Sequence, residues 1–160
     1  MRWLVTRGVG GMGDNEHVDD RPVPTVDEVE RRLRPILAGE VRVQFAYLFG
    51  SVASGENRQT SDVDVAVMLE PRGTLLDDAT LHDRLANAIV GTEVDMLVLN
   101  DAPLWLRFRA VGGRVLFSRD DRARITDRER VEKEFLDFKP YHDEYLRATR
   151  DRARRGVLSG

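Results

Sequence analysis

Apolar residues recur along this chain at two different spacings, and the switches between them mark its elements. After Thr25, residues Val26, Val29, Leu33, Ile36 and Leu37 follow the period of a helix. Thr25-Val26-Asp27-Glu28 opens that helix as a capping box, with the threonine accepting from the amide three residues on while Glu28 reaches back. Pro35 is expected to kink or end it. Val41–Phe49 reads as a strand ending at Gly50-Ser51, and Val63–Leu69 as a second strand bounded by Pro71 and Gly73. Leu81, Leu85, Ala88 and Ile89 form a helix face stopped at Gly91, and Val94–Leu99 is a third strand. Asp101-Ala102-Pro103 starts a helix whose buried stripe is Leu104, Phe108 and Val111, ended by Gly112-Gly113. A short strand, Arg114–Phe117, follows. From about Asp120 to Arg154 the chain is highly charged with helical periodicity, and an interruption is expected at Lys139-Pro140. The order predicts a small sheet with a helical C-terminal extension, and there is no internal repeat.

Composition adds mainly exclusions. At 160 residues the chain fits one domain with a real core. With 41% hydrophobic and 33% charged residues it is ordinary for a soluble protein. The formal charge of −3 gives no general pull towards nucleic acid, so an anion site has to be local and no direct nucleic-acid binding is expected. Without cysteine there are no disulfides, thiolate metal sites or cysteine nucleophiles, which fits a reducing compartment. No apolar run approaches the roughly 18 residues of a membrane span, and MRWLVTRGVGGMG lacks the sustained apolar core of a signal peptide. A soluble, cytoplasmic protein is the default expectation. Residues 1–24 show no periodicity and are expected to form a flexible leader. Gly8–Gly13 matches GxGxxG, but no helix pattern follows it, so a dinucleotide site is not expected there.

The chemistry concentrates in GSVASGENRQTSDVDVAV, Gly50 to Val67. Residues two apart in a strand share a face, so Asp62 and Asp64 project together while Val63, Val65 and Val67 face the core. Two carboxylates on one face repel unless a cation sits between them, and hard oxygen ligands of this kind suit Mg²⁺ with substrate phosphates. Gly50 lets the backbone approach a ligand closely, and Ser51 offers a hydroxyl and exposed amides to a phosphate where a short helix begins. Strand, Gly-Ser, helical turn, polar loop and Asp-x-Asp together are the equipment for nucleotidyl transfer. A third carboxylate is expected from a neighbouring strand, and Asp95 is the candidate, to complete the metal site and take the proton of the incoming hydroxyl. Glu93 is its lower-ranked competitor.

Gly50-Ser51, ten residues, then Asp62-x-Asp64, with Asp95 on a later strand, resembles the minimal nucleotidyltransferases of the DNA polymerase β superfamily. Asp95 lies in Val94–Pro103, which is similar to the MntA-type antitoxins, as are Leu106-Arg107, Gly113–Phe117, Asp137–Tyr141 and Tyr145. The likeness runs from about Thr25 to Arg155. It implies an α/β (α+β) nucleotidyltransferase fold, a small mixed sheet flanked by helices over residues 25–118, with a helical extension, 119–155, packed on the same domain. It implies an enzyme dependent on ATP and Mg²⁺ that adds AMP to a tyrosine of a cognate HEPN-domain RNase toxin. By position, Gly50 and Ser51 would bind the triphosphate, Asp62 and Asp64 the metals, and Asp95 the metal and the acceptor proton. The family commonly carries arginine where this chain has Ser54; Arg58, in the same loop, is the substitute the sequence offers. Two rival readings stay open: an antitoxin that neutralises by binding alone, and the same transfer onto a small-molecule hydroxyl.

The other candidates have simpler explanations. His17, His82 and His142 are too scattered for a metal motif and are read as surface or packing residues. Arg107 and Arg109 flank Phe108 and fit either contact with ATP or a partner, or a solvated helix face. Tyr141 and Tyr145 share a helix face, for which core packing is expected. The run Arg147, Arg150, Arg152, Arg154 and Arg155 reads as a solvated helix end.

Overall fold

A computed structural model of the chain describes residues 4–5, 23–55 and 62–157, the side chains at 142 and 153–157 excepted. The elements run β1 (Leu4–Val5), α1 (Val26–Gly39), β2 (Val43–Phe49), α2 (Gly50–Ser54), β3 (Val63–Leu69), α3 (Leu75–Ala88) and β4 (Val94–Val98). A 3₁₀ turn (Leu99–Asp101), α4 (Leu104–Val111), β5 (Arg114–Ser118) and α5 (Asp121–Val157) complete the order. The sheet order is β1-β4-β3-β2-β5. Only β3 and β4 are parallel, and α3 is the crossover that such a pair requires. All other neighbours are antiparallel, which makes the sheet mixed.

Helices cover both faces of the sheet, so the central strands are apolar on both sides. Val43, Ala46 and Leu48 of β2 and Val63, Val65 and Val67 of β3 pack with Leu33, Leu37, Leu81 and Leu85 of α1 and α3. Phe45, Tyr47 and Phe49 point the other way, with Ala66, Leu97, Leu106 and Val131. A register shift between Val43 and Phe45 places Val43 on the same face as Ala46 and Leu48.

Several expectations need correcting. Pro35 and Pro140 lie inside continuous helices, α1 and α5. Each proline is exposed, as are Arg31 and Leu136, whose carbonyls lose their helical partner, so the missing bonds fall on the solvent side of each helix. The capping box at Thr25 is half made. Thr25 accepts from the Glu28 amide at 3.2 Å, but the Glu28 carboxylate pairs with Arg32 at 2.6 Å. Strand β2 begins at Val43 rather than Val41, which is exposed in the preceding turn. Leu4–Val5, within the stretch read as leader, pairs with Leu97 and Met96 as an edge strand too short to show a period. Tyr141 and Tyr145 are 69% and 68% exposed rather than core, because α5 runs on past the part that packs on α4.

Polar contacts fix the layers around the sheet. Asp78, 1% exposed, accepts from Arg42 at 3.3 Å and from Arg72 at 2.8 Å, and Arg72 also holds Asp101 at 2.7 Å. The Asn100 side chain bonds both backbone groups of Leu69, at 2.8 and 3.0 Å, and so extends the ladder past the end of β4. No helix among the described residues is long and apolar enough to cross a membrane.

Candidate active site

At one end of the sheet, a single row of residues crosses three strands. Phe49 of β2 is paired with Asp64 of β3, and Asp64 with Asp95 of β4. Adjacent strands lie about 4.8 Å apart, so the two carboxylates are next-door neighbours on the sheet. Asp64 shares its face with Ala66, and Asp95 shares its face with Leu97, both packed on the α4 and α5 side. The valines between them anchor the opposite face in the α1 and α3 layer. The alternation that buries Val63, Val65, Val94 and Met96 is therefore what turns both aspartates to one side.

Gly50 follows Phe49 directly, with φ +74. A Cβ there would overlap Asp64 Oδ2 and stand 3.0 Å from its Cγ. Glycine is required twice, for its left-handed backbone and for the carboxylate against it. Val52 is fully buried and holds the short helix α2 down on the sheet, leaving Ser51 half-buried beside the row. Ser54 spends its hydroxyl locally, donating to the Ser51 carbonyl at 3.1 Å. Asp62 is exposed at the mouth, just before Val63, whose amide donates to the Glu93 carbonyl at 2.9 Å. The structure thus brings Gly50, Ser51, Asp62, Asp64 and Asp95 to one end of the sheet. Arg58, His17 and Gly8–Gly13 lie outside the described residues.

The carboxylates are electrostatically stressed. Burial, then the charges of Asp95 and Asp62, push Asp64 up to about 6, and Arg109 opposes the shift. Burial, then Asp62 and Glu93, raise Asp95, with His82 opposing. Glu93 stands exposed beside Asp95 and acts on it through its charge. Among the described residues, no three acidic or histidine side chains enclose a metal by themselves. Mutually repelling carboxylates favour a cation between them, and a hard ion such as Mg²⁺ needs few protein ligands because phosphate and water can complete its shell.

Two cavities flank the row. One, of about 430 Å³, is lined by His82, Asn87, Val90, Glu93 and Asp95 among others. The other, of about 370 Å³, lies between Gly50, Ser54, Phe108 and Arg109. His82 is buried, with Nε2 2.8 Å from the Val94 carbonyl, which matches the packing role read from the sequence. The two arginines that the sequence left equivalent separate cleanly. Arg107 turns to Asp127 of α5 at 3.4 Å, while Arg109 lines the cavity beside Phe49 and Gly50. Residues two apart on a helix point roughly 200° apart, but only the docked helix shows which of the two meets the carboxylates.

The chain is similar to known proteins in sequence and in fold. Residues 31–122, more than half of the chain, match the family described as polymerase beta, nucleotidyltransferase. A Methanocaldococcus jannaschii protein, provisionally named a protein adenylyltransferase, is 37% identical over 75 residues, which is 47% of this chain and 78% of that protein. A chain of a toxin–antitoxin crystal structure with AMP-PNP superposes with a TM-score of 0.65 at 20% identity, covering 75% of this chain and 97% of that one. A chain from the tri-AMPylated Shewanella oneidensis HEPN toxin in complex with MNT antitoxin gives 0.55 at 21% identity, covering 75% and 98%.

Proposed function

Because the chain belongs to the polymerase beta nucleotidyltransferase family, we propose that it transfers AMP from ATP to a tyrosine hydroxyl of a HEPN-family RNase toxin and serves as that toxin's antitoxin. The observation that carries this reading is the row Phe49–Asp64–Asp95 with Gly50 at its end, which sets a phosphate-approachable turn beside paired carboxylates. The fold shared with antitoxin complexes supports it, as does the tri-AMPylated state of the Shewanella toxin. So does the relative named as a protein adenylyltransferase.

Gly50 and Ser51 bind the triphosphate in this reading, and Asp62, Asp64 and Asp95 hold Mg²⁺. The metal supplies positive charge that offsets the phosphates and the crowded carboxylates. The cavity beside Asp95 and Glu93 gives the acceptor tyrosine its way in. Its hydroxyl oxygen bonds to the α-phosphorus, the bond from that phosphorus to the β-phosphate's bridging oxygen breaks, and pyrophosphate leaves. The hydroxyl proton passes to Asp95, the carboxylate of the row on β4. This reading would have the reaction take place in the cytoplasm, where ATP and the toxin's RNA substrates are found.

Intact mass of the cognate toxin, incubated with this protein, ATP and Mg²⁺, tests the reading, with an Asp64→Asn variant in parallel. A gain of one or more AMP units, absent with the variant, is expected. A tight complex with no gain in mass would point to neutralisation by binding alone. Neither gain nor complex would redirect the search to small-molecule hydroxyls.

A further inference from the structure

The cavity between the Gly50 turn and α4 is lined by two cations, and they differ in their commitments. Arg114 is held by Asp27 at 3.1 Å and by Glu30 at 2.8 Å, which ties β5 to α1. Arg109 forms no ion pair or side-chain hydrogen bond among the described residues. Glu132, the acid on the cavity wall, is paired with Arg128 at 2.7 Å. Ser54 has its hydroxyl on the Ser51 carbonyl. Phe108 stacks on Phe135, with centroids 3.9 Å apart and planes 10° from parallel, so the turn that carries Arg109 is clamped to α5. A fixed backbone therefore presents an uncommitted guanidinium to a cavity whose facing wall is Gly50, and the Asp64 carboxylate presses on that glycine.

We propose that Arg109 binds the β- and γ-phosphates of the nucleotide, reaching them from α4 rather than from the loop after Gly50-Ser51. This rests on the nucleotidyl-transfer reading and extends it by direction. Asp64 and Asp95 mark where the α-phosphorus must sit. In the proposed reading the acceptor enters by the cavity that Asp95 lines, and Asp95 stands on β4, at one side of β3. In-line displacement sends the leaving pyrophosphate away from the acceptor, across β3 towards the end of β2. That is where Gly50 and the Arg109 cavity lie. A guanidinium can take two phosphate oxygens at once, which a serine at 54 cannot do. The leaving charge also needs a counter-charge among carboxylates that already repel one another.

Calorimetric titration with α,β-methylene-ATP and with AMP, each with Mg²⁺, tests this on the full chain and on Arg109→Ala and Arg109→Lys. Arg109→Ala is expected to weaken the triphosphate analogue ~10- to 100-fold and to leave AMP binding unchanged, since AMP lacks the phosphates concerned. Arg109→Lys, which keeps the charge and loses the fork, is expected to fall between. Equal affinity of the wild type and both variants for the analogue would overturn the assignment to Arg109 while leaving the nucleotide site intact. A matching loss for analogue and AMP would overturn it too, by showing a general effect on the site. A wild-type chain that binds neither ligand would overturn the nucleotide reading itself, and this inference with it. Arg109 is exposed and Arg109→Lys keeps the charge that opposes the Asp64 shift, so the unfolding midpoint of that variant should stay at the wild-type value.

Discussion

Gly50 is under two separate constraints, and a pair of variants separates them. Gly50→Ala places a side chain at φ +74, where an L-residue pays ~1–2 kcal/mol, and pushes its Cβ into the Asp64 carboxylate. The expected result is a lower unfolding midpoint together with loss of AMP transfer. Adding Asp64→Ala removes the overlap but not the backbone strain. The double variant should regain part of the lost stability in thermal melts and none of the activity. Strict additivity of the two changes, measured with Asp64→Ala alone as the third arm, would show that the carboxylate is not what the Cβ meets. Gly50, Ser51, Asp62, Asp64 and Asp95 were all legible as candidates, because glycine at a strand end and acids at strand positions are local signals. Arg109 was not, because its meaning depends on the helix face that docking turns to the site.

At the level of elements, local signals and tertiary ones part company in the helices. Helix α3 opens with a complete capping box. The Thr74 hydroxyl accepts from the Asp77 amide at 3.2 Å, and the Asp77 carboxylate accepts from the Thr74 amide at 2.7 Å. Thr74→Ala should cost ~1 kcal/mol in denaturant unfolding, with kcat of AMP transfer unchanged, because the cap is remote from the carboxylate row. A large fall in kcat would instead mean that α3 positions Asp95. The helix at Thr25, whose sequence signal was the stronger, makes only half its box because Arg32 claims Glu28. The prolines of α1 and α5 teach the same lesson. A proline costs a helix one backbone bond, and here both carbonyls that lose it belong to exposed residues, where the loss is least expensive.

For the whole molecule, the crowded carboxylates are a source of instability. Asp64 binds its proton up to about 6, against 3.8 for an ordinary aspartate, so between those values the native state holds a proton that the unfolded chain has released. The folded pKa is the higher one. Asp64 therefore destabilises the fold at neutral pH, and that penalty fades as pH falls through the window. Asp95 is shifted in the same direction. In chelator, the unfolding midpoint of the wild type should drop more steeply with rising pH across this window than that of Asp64→Asn. Mg²⁺ with α,β-methylene-ATP at neutral pH should raise the wild-type midpoint and leave the variant nearly unmoved. Parallel pH profiles for the two proteins would mean that Asp64 carries no such strain.

What the sequence determined by itself was whatever is encoded within a few residues: helix and strand periods, the Gly-Ser turn, the spacing of Asp62 and Asp64, and the alternation that sets their faces. Its likeness to the nucleotidyltransferases extended that reading to a fold. Tertiary structure decided which distant segments meet. The parallel register sets Asp95 opposite Asp64, the pairing of β2 brings Gly50 against the Asp64 carboxylate, and Leu4–Val5 finds the β4 edge. It also decided which way each helix turns, sending Arg107 to Asp127 and Arg109 to the site. The physical reason is common to all of these. Backbone preference acts over one turn or one strand, whereas register and docking angle are set by burying both faces of the sheet at once.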